Sequence, residues 1–225
     1  SDIAIGVSKL FGFEIMSNFK FPYFSRNIGE FWHKWHISLS TWFRDYLYIP
    51  LGGSKKGKLI SIRNTFIIFI TSGIWHGANL TFIVWGLIHF LLFIPSLIKG
   101  KNRKYLENEK IERDCLNYIT DLIRIVLTFS LITIAWVFFR SNTVRDSFHY
   151  LYYILQRIAL PDEFKADLIF VLIFLLLEFV MKKSERNLFQ IKNPISRTLL
   201  YVILSFTTLL FYMHSDINSF IYFQF

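Results

Sequence analysis

The chain has 225 residues, 53% of them hydrophobic and 19% aromatic, with 26 Phe, one Cys and a formal net charge of +9. With a mean hydropathy of +0.41 this is an integral membrane composition rather than that of an average soluble domain. Cys115 alone excludes an internal disulfide and a multi-cysteine metal cluster. The basic residues gather in short loops beside apolar runs, as membrane proteins use them to fix orientation, and no nucleic-acid-binding signature accompanies them.

The chain starts at Ser1 without a Met, shows no signal peptide and opens mid-pattern, so a piece of a longer membrane protein is expected. Residues 1–17 read as the end of a helix weakened by Gly6 and Gly12. The aromatic stretch NFKFPYFSRN, 18–27, reads as an interfacial segment broken by Pro22 and Asn27. A single helix is expected over Ile28–Tyr48. Trp32, Trp35, Leu39 and Trp42 share one face of it, and His36, Ser40, Arg44 and Tyr48 form a polar stripe at i, i+4 spacing. That segment is too polar to face lipid along its length, so it lies at the interface or inside protein. Ile-Pro-Leu-Gly-Gly at 49–53 ends it, and Ser54–Arg63, with Lys55, Lys56, Lys58 and Arg63 and no acid, reads as a basic cytoplasmic loop.

Residues 64–98 are almost uncharged. One straight helix of that length would overshoot a bilayer core of about 30 Å. Gly73, His76, Gly77 and Asn79 divide it, so two shorter helices over about 64–75 and 78–98 are expected, with His76 at the break. Broken helices at membrane depth line cavities, where the freed backbone groups are satisfied. Beyond a charged loop over 99–114, spanning helices are expected over 119–139, 167–181 and 198–213. Loops over 141–166 and 182–197 separate them, and the tail SFIYFQF closes the chain. With the basic loops in the cytoplasm, the 141–166 loop and the C-terminus lie outside, in one domain.

An ionisable group within such a sequence is a functional candidate, because lipid solvates it poorly. A neutral imidazole at position 76 has the chemistry of a general base near neutral pH, with Trp75 as a rigid wall; interhelical hydrogen bonding is its structural alternative. His36, with Ser40 and Arg44 on the same stripe, could orient a substrate. Arg44 and Asp45 equally suit a structural ion pair. His33 and His36 would share a helix face, but a metal site needs further ligands that the sequence does not place, so no metal is expected. His33 reads as an exposed interfacial residue, and His89, His149 and His214 have no second feature beside them. Ser38 and Ser40 lack the turn of a serine hydrolase.

FWHKWHISLSTWFRDYLYIPLGG, followed by GIWHGANLTFIVWGLIH, resembles the membrane-bound O-acyltransferase family, in its bacterial branch of alginate O-acetylation and teichoic acid D-alanylation proteins. The opening 23 residues, AWVFFR at 135–140 and the closing FIYFQF resemble it too, with Lys34 standing where that family usually has Arg. The resemblance extends over the chain but corresponds to the family's C-terminal half, with several N-terminal membrane helices absent. It implies an all-α, polytopic membrane helix bundle with short interfacial or broken helices around a central funnel. It also implies His76 and His36 as the catalytic pair, with His76 accepting a hydroxyl proton. Trp75, Ser40 and Arg44 remain candidates for substrate contact. The implied reaction moves an acyl group, acetyl in the branch most resembled, from acetyl-CoA or an acyl-carrier thioester to hydroxyls of a cell-envelope or extracellular polysaccharide. The transfer is direct or runs through an extracytoplasmic SGNH-type acetyltransferase partner. No cofactor is implied, and the location is the inner (cytoplasmic) membrane, multi-pass. D-alanyl transfer, a non-catalytic scaffold or acyl channel, and a proton-coupled transporter resting on Glu178 are the alternatives.

Overall fold

The computed structural model describes residues 2–100, 115–156, 165–181 and 193–214. Most of the charged loop expected over 99–114, most of the basic stretch over 182–197 and the tail SFIYFQF fall outside the described residues. The chain forms two compact units, Ser1–Glu163 and Phe164–Phe225. Every regular element among the described residues is helical.

In the first unit, α1 (Asp2–Leu10) leads through the turn Pro22–Phe24 into α2 (Ile28–Lys34) and α3 (Ile37–Phe43), and a wide π-helical turn follows at Arg44–Tyr48. Then come α4 (Lys58–His76), α5 (Leu80–Ile98), α6 (Cys115–Arg140) and α7 (Val144–Gln156). The second unit contributes α8 (Lys165–Met181) and α9 (Pro194–His214). α5 and residues 118–140 of α6 are long and apolar enough to cross a membrane.

The division of 64–98 holds: α4 ends at His76 and α5 begins after Asn79. Asn79 Oδ1 accepts the Thr81 N–H at 3.1 Å, a cap for the new helix, while its Nδ2 donates to the Asn142 carbonyl at 2.8 Å and ties this turn to the one after α6. The two helices then pack backbone to backbone. A Cβ on Gly73 would run into the carbonyl of Phe82, with Ile83 Cα at 3.3 Å; a Cβ on Gly86 would run into the carbonyl of Phe69. Gly73 and Gly86 thus let α4 and α5 touch, in the small-residue manner of membrane helix pairs.

Four expectations are corrected. The single helix over 28–48 is two short helices and a π turn. Trp35 leaves helical geometry to pack in the core, its ring stacked on Phe31 (5.5 Å between centroids) and edge-on to Phe19 (4.8 Å). The segment 18–20 fills the gap: Lys20 N–H donates to the Lys34 carbonyl, and Asn18 accepts the Ile37 N–H on its carbonyl and the Ser38 N–H on Oδ1. Both open helix ends are thus satisfied from outside. The face proposed to hold His33 and His36 together does not exist. Next, α4 begins at Lys58, inside the expected basic loop, because the preceding loop is pinned to it: Asn64 Nδ2 donates to the carbonyls of Leu51 and Gly53, and the Tyr48 and Ser61 hydroxyls meet at 2.8 Å. The expected loop over 141–166 holds the amphipathic helix α7, whose first turn is capped by Thr143 Oγ1 accepting from Asp146 N–H. Finally, α9 starts at Pro194, since proline suits a first helical position and Asn193 Oδ1 accepts the Ile195 N–H.

The core of the first unit is aromatic. Phe31 from α2, Trp85 from α5, and Ile132, Ala135 and Phe138 from α6 are buried, with Trp32, Trp35 and Trp136 packed across them. A fully buried Ala135 leaves α6 room to approach Trp85.

Candidate functional site

His76 is the last residue of α4, and the extended Gly77 stops the helix behind it. Its imidazole stands edge-on to Phe139 of α6 (4.9 Å, 82°) and to Trp85 of α5 (5.3 Å, 89°), with Phe82 at 6.2 Å. Among the described residues no hydrogen bond engages this half-buried ring. The aromatic walls and the glycine-locked hairpin fix where it sits. What remains open to chemistry are its nitrogens.

His36 comes to the same neighbourhood from the α2–α3 junction. It caps α3 in a left-handed conformation, φ 46° and ψ 54°, an uncommon geometry for a residue with a Cβ, though histidine is among those enriched there. Strain of this kind persists where the surroundings over-determine the backbone, and the three hydrogen bonds from Asn18 and Lys20 do so here. The Trp75 indole meets both histidines, edge-on to the His36 ring at 6.3 Å and 86° and 4.9 Å from the ring of His76. Burial pushes the His36 pKa below its ordinary 6.5, which keeps the ring neutral at pH 7, and its Nδ1 is buried without a partner among the described residues. His36, Trp75 and His76 therefore form one cluster, joined through the ring contacts of the half-exposed Trp75.

Ser40 and Arg44 belong to a neighbouring feature. A cavity of about 460 Å³ opens between α2, α3, α4 and α5, walled by Trp32, Phe69 and Phe93 and bordered by Ser40, Arg44 and Ser72. Ser40 Oγ donates back to the Trp35 carbonyl at 3.3 Å. Arg44 makes a two-point ion pair with Asp45, at 2.7 and 3.2 Å, so the structural reading of that pair is realised at the cavity rim. His33, expected at the interface, also borders this cavity. The histidine cluster and the cavity adjoin in sequence: Ile37 follows His36, and Ser72 lies one turn before His76. Histidines 36 and 76 themselves do not line the cavity.

Two buried groups escaped the sequence reading. Glu30 is fully engaged, accepting from Lys34 Nζ at 2.6 Å and from the Arg26 backbone N–H at 2.9 Å and Nε at 3.2 Å. Burial works to raise its pKa, but the Lys34 and Arg26 hydrogen bonds and charges outweigh it and hold the carboxyl below its usual value. Arg26 in turn reaches Asp121 of α6 at 3.3 Å. This is a lock between α2 and α6, with no base to spare. His89 of α5, which had no second feature in the sequence, is wholly buried among Phe31, Trp32, Phe69 and Trp85. Its i, i+4 relation to Trp85 was the available signal. Among the described residues, no three His, Cys, Asp or Glu side chains gather as metal ligands do.

Residues 1–139 match the MBOAT model, the membrane-bound O-acyltransferase family. The chain is 46% identical over 144 residues to a protein of Pseudomonas syringae pv. tomato described as a probable alginate O-acetylase AlgI, covering 64% of this chain and 26% of the relative. It is 37% identical over 147 residues to a peptidoglycan O-acetyltransferase of Helicobacter pylori, covering 65% and 26%. To a teichoic acid D-alanyltransferase of Bacillus subtilis it is 32% identical over 147 residues, covering 62% and 36%. The chain thus spans about a quarter to a third of the length of the curated relatives it matches. The matched region contains His36, Trp75 and His76, and the α4–α5 hairpin that carries Trp75 and His76 ends well inside it. With the larger part of its length inside that match, this is a membrane protein that belongs to the membrane-bound O-acyltransferase family.

Proposed function

We propose that the chain is the C-terminal part of a single membrane domain that transfers an acyl group, acetyl in the first instance, to hydroxyls of a cell-envelope polysaccharide. The observation that carries this is the His36–Trp75–His76 cluster: a ring with free nitrogens, held by aromatic walls at a helix end, sharing its Trp75 neighbour with a second, neutral imidazole. Acyl transfer from a thioester to an alcohol needs a group that removes the hydroxyl proton as the oxygen attacks the carbonyl carbon. In this reading His76 takes that proton. The tetrahedral intermediate collapses, the carbon–sulfur bond breaks, and the imidazolium returns the proton to the departing thiolate. His36 holds the reacting hydroxyl or the second side of Trp75. The cavity beside the cluster accommodates the apolar part of a substrate, with Ser40 and Arg44 at its border.

The donor is acetyl-CoA or an acyl-carrier thioester, and the acceptor is a polysaccharide hydroxyl or a residue of an extracytoplasmic SGNH-type acetyltransferase that completes the transfer. The setting is the cytoplasmic membrane, with several crossings. The higher identity to the alginate and peptidoglycan O-acetylating relatives than to the D-alanyltransferase supports acetyl over D-alanyl transfer. The test is to express the protein with its natural flanking sequence in a host that lacks envelope acetylation, then quantify ester-linked acetate and ester-linked D-alanine on envelope polysaccharide. Acetate above the vector control is expected. D-alanine ester without acetate would replace the donor, and neither ester would overturn the enzymatic reading.

A further inference from the structure

Asn79 uses both ends of its side-chain amide, and the two bonds do different things. Oδ1 accepts the Thr81 N–H at 3.1 Å, which is the local work of a helix cap. Nδ2 donates to the Asn142 carbonyl at 2.8 Å, a bond that reaches 63 residues along the chain. The acceptor is fixed independently of its donor. On one side of it Ser141 bonds back to the Val137 carbonyl, through its N–H at 3.1 Å and its Oγ at 2.7 Å. On the other side the Thr143 carbonyl accepts from both the N–H and the Oγ of the wholly buried Ser147, each at 3.2 Å. The Asn142 carbonyl therefore stands between two anchored residues.

The elements that this amide joins are the ones that surround His76. Its Oδ1 sets the start of α5, which carries Phe82 and Trp85, and its Nδ2 holds the end of α6, which carries Phe139. Phe139 is where they meet: its ring lies 4.9 Å from those of His76 and Phe82 and 5.3 Å from that of Trp85. His76 stands three residues before Asn79, with Gly77, of the least constrained residue type, between them. The connecting backbone alone does not aim the imidazole; the rings packed on it do. A general base has to lie within hydrogen-bond reach of the proton it removes, and a displacement of about 1 Å can cost on the order of 10²-fold in rate. One turn deeper, α5 and α6 also pack through Trp85 and Ala135, so the fold does not depend on the Asn79 bond.

We propose that Asn79 is a positioning residue for His76: its bond to the Asn142 carbonyl holds the Phe139 ring against the imidazole, a role separate from the cap that its Oδ1 provides. The inference rests on the reading of His76 as the general base.

Substitution separates the two roles. Serine caps a helix about as well as asparagine does, but it has no amide to reach Asn142. In the full protein with its natural flanking sequence in nanodiscs, Asn79→Ser is expected to keep the wild-type melting temperature, because water replaces a bond made at an exposed site. Its KM for acetyl-CoA should also hold, while kcat falls about ten-fold. Asn79→Asp keeps the cap and sets a second acceptor against the Asn142 carbonyl; it should lose at least as much, and it serves if the serine variant does not fold. Phe139→4-fluorophenylalanine adds a readout independent of turnover. Its fluorine resonance is expected to shift or broaden when Asn79→Ser is introduced. An unchanged resonance overturns the tether whatever the rate. A changed resonance with kcat unaltered overturns the positioning role, and so does a loss of kcat that comes with a raised KM and a lowered melting temperature. A wild type that transfers no acyl group sinks the acyl-transfer reading instead, and the fluorine resonance then decides the tether alone.

Discussion

The two histidines of the cluster are held in place by different means. His76 ends the first arm of a hairpin of two 19-residue helices whose backbones touch through Gly73 and Gly86. His36 joins two seven-residue helices that are too short to stand alone and are fixed by hydrogen bonds from Asn18, Lys20 and Asn27. One imidazole is positioned by packing and the other by backbone and side-chain hydrogen bonds. The two regions should therefore fail in different ways, and each substitution below separates them.

The largest effect is expected at the hairpin. Gly73→Ala or Gly86→Ala places a methyl against a backbone carbonyl that cannot move independently, and overpacking of this kind costs about 1–3 kcal/mol or more. Lower membrane abundance and a lower melting temperature should follow, measured by fluorescence-detected thermal unfolding of detergent-solubilised protein. Gly6→Ala, where a Cβ meets nothing within 4 Å, is the matched control. In the α2–α3 region, Asn18→Ala removes the side-chain acceptor for Ser38 N–H and should cost about 1 kcal/mol, the usual value of a lost helix cap. Acyl transfer should fall further than stability does, because the left-handed geometry of His36 loosens. Asn18→Asp, which keeps the acceptor, should restore both.

The regions should also differ in acid. Because the folded protein holds His36 below its ordinary pKa of 6.5, the unfolded chain binds that proton first as pH falls. The contribution is fully present above pH 6.5 and is lost progressively below it. Melting temperatures of wild type and His36→Gln, compared between pH 7.5 and 5, should converge as pH drops. A constant gap would remove the burial account of His36. The smallest effect is expected at the cavity rim, where Arg44 and Asp45 are both exposed. Asp45→Asn should leave the melting temperature almost unchanged, because solvent screens an exposed ion pair.

The long apolar elements were legible in the sequence because their length and composition suffice to define them: α5, α6 and α8 lie close to where the pattern puts them. The break at His76 was legible too, since Gly77 and Asn79 interrupt an otherwise continuous run. The break at Trp35–His36 was not. Trp32, Trp35 and Leu39 keep helical spacing across it, and what defeats the helix is tertiary: Trp35 prefers the Phe19–Phe31 pocket, and a segment almost twenty residues upstream supplies the missing hydrogen bonds. Within the candidate site, His76 was visible as an ionisable group in an apolar run, with Trp75 as its neighbour, and His36 as part of a polar stripe on an otherwise aromatic segment. His89 was missed because its partners come from three helices, and the cavity beside the cluster exists only once α2 and α3 fold against the hairpin.

The central claim is that His76 does chemistry rather than packing. The direct measurement is acyl transfer per folded, membrane-inserted molecule of His76→Ala, alongside wild type and Gly73→Ala. The account predicts a loss of about 10²–10⁴-fold for His76→Ala, the range for a general base, with an unchanged melting temperature, and a near-normal rate per folded molecule for Gly73→Ala. A His76→Ala protein that transfers acyl groups at the wild-type rate per folded molecule, with only its stability reduced, would contradict it.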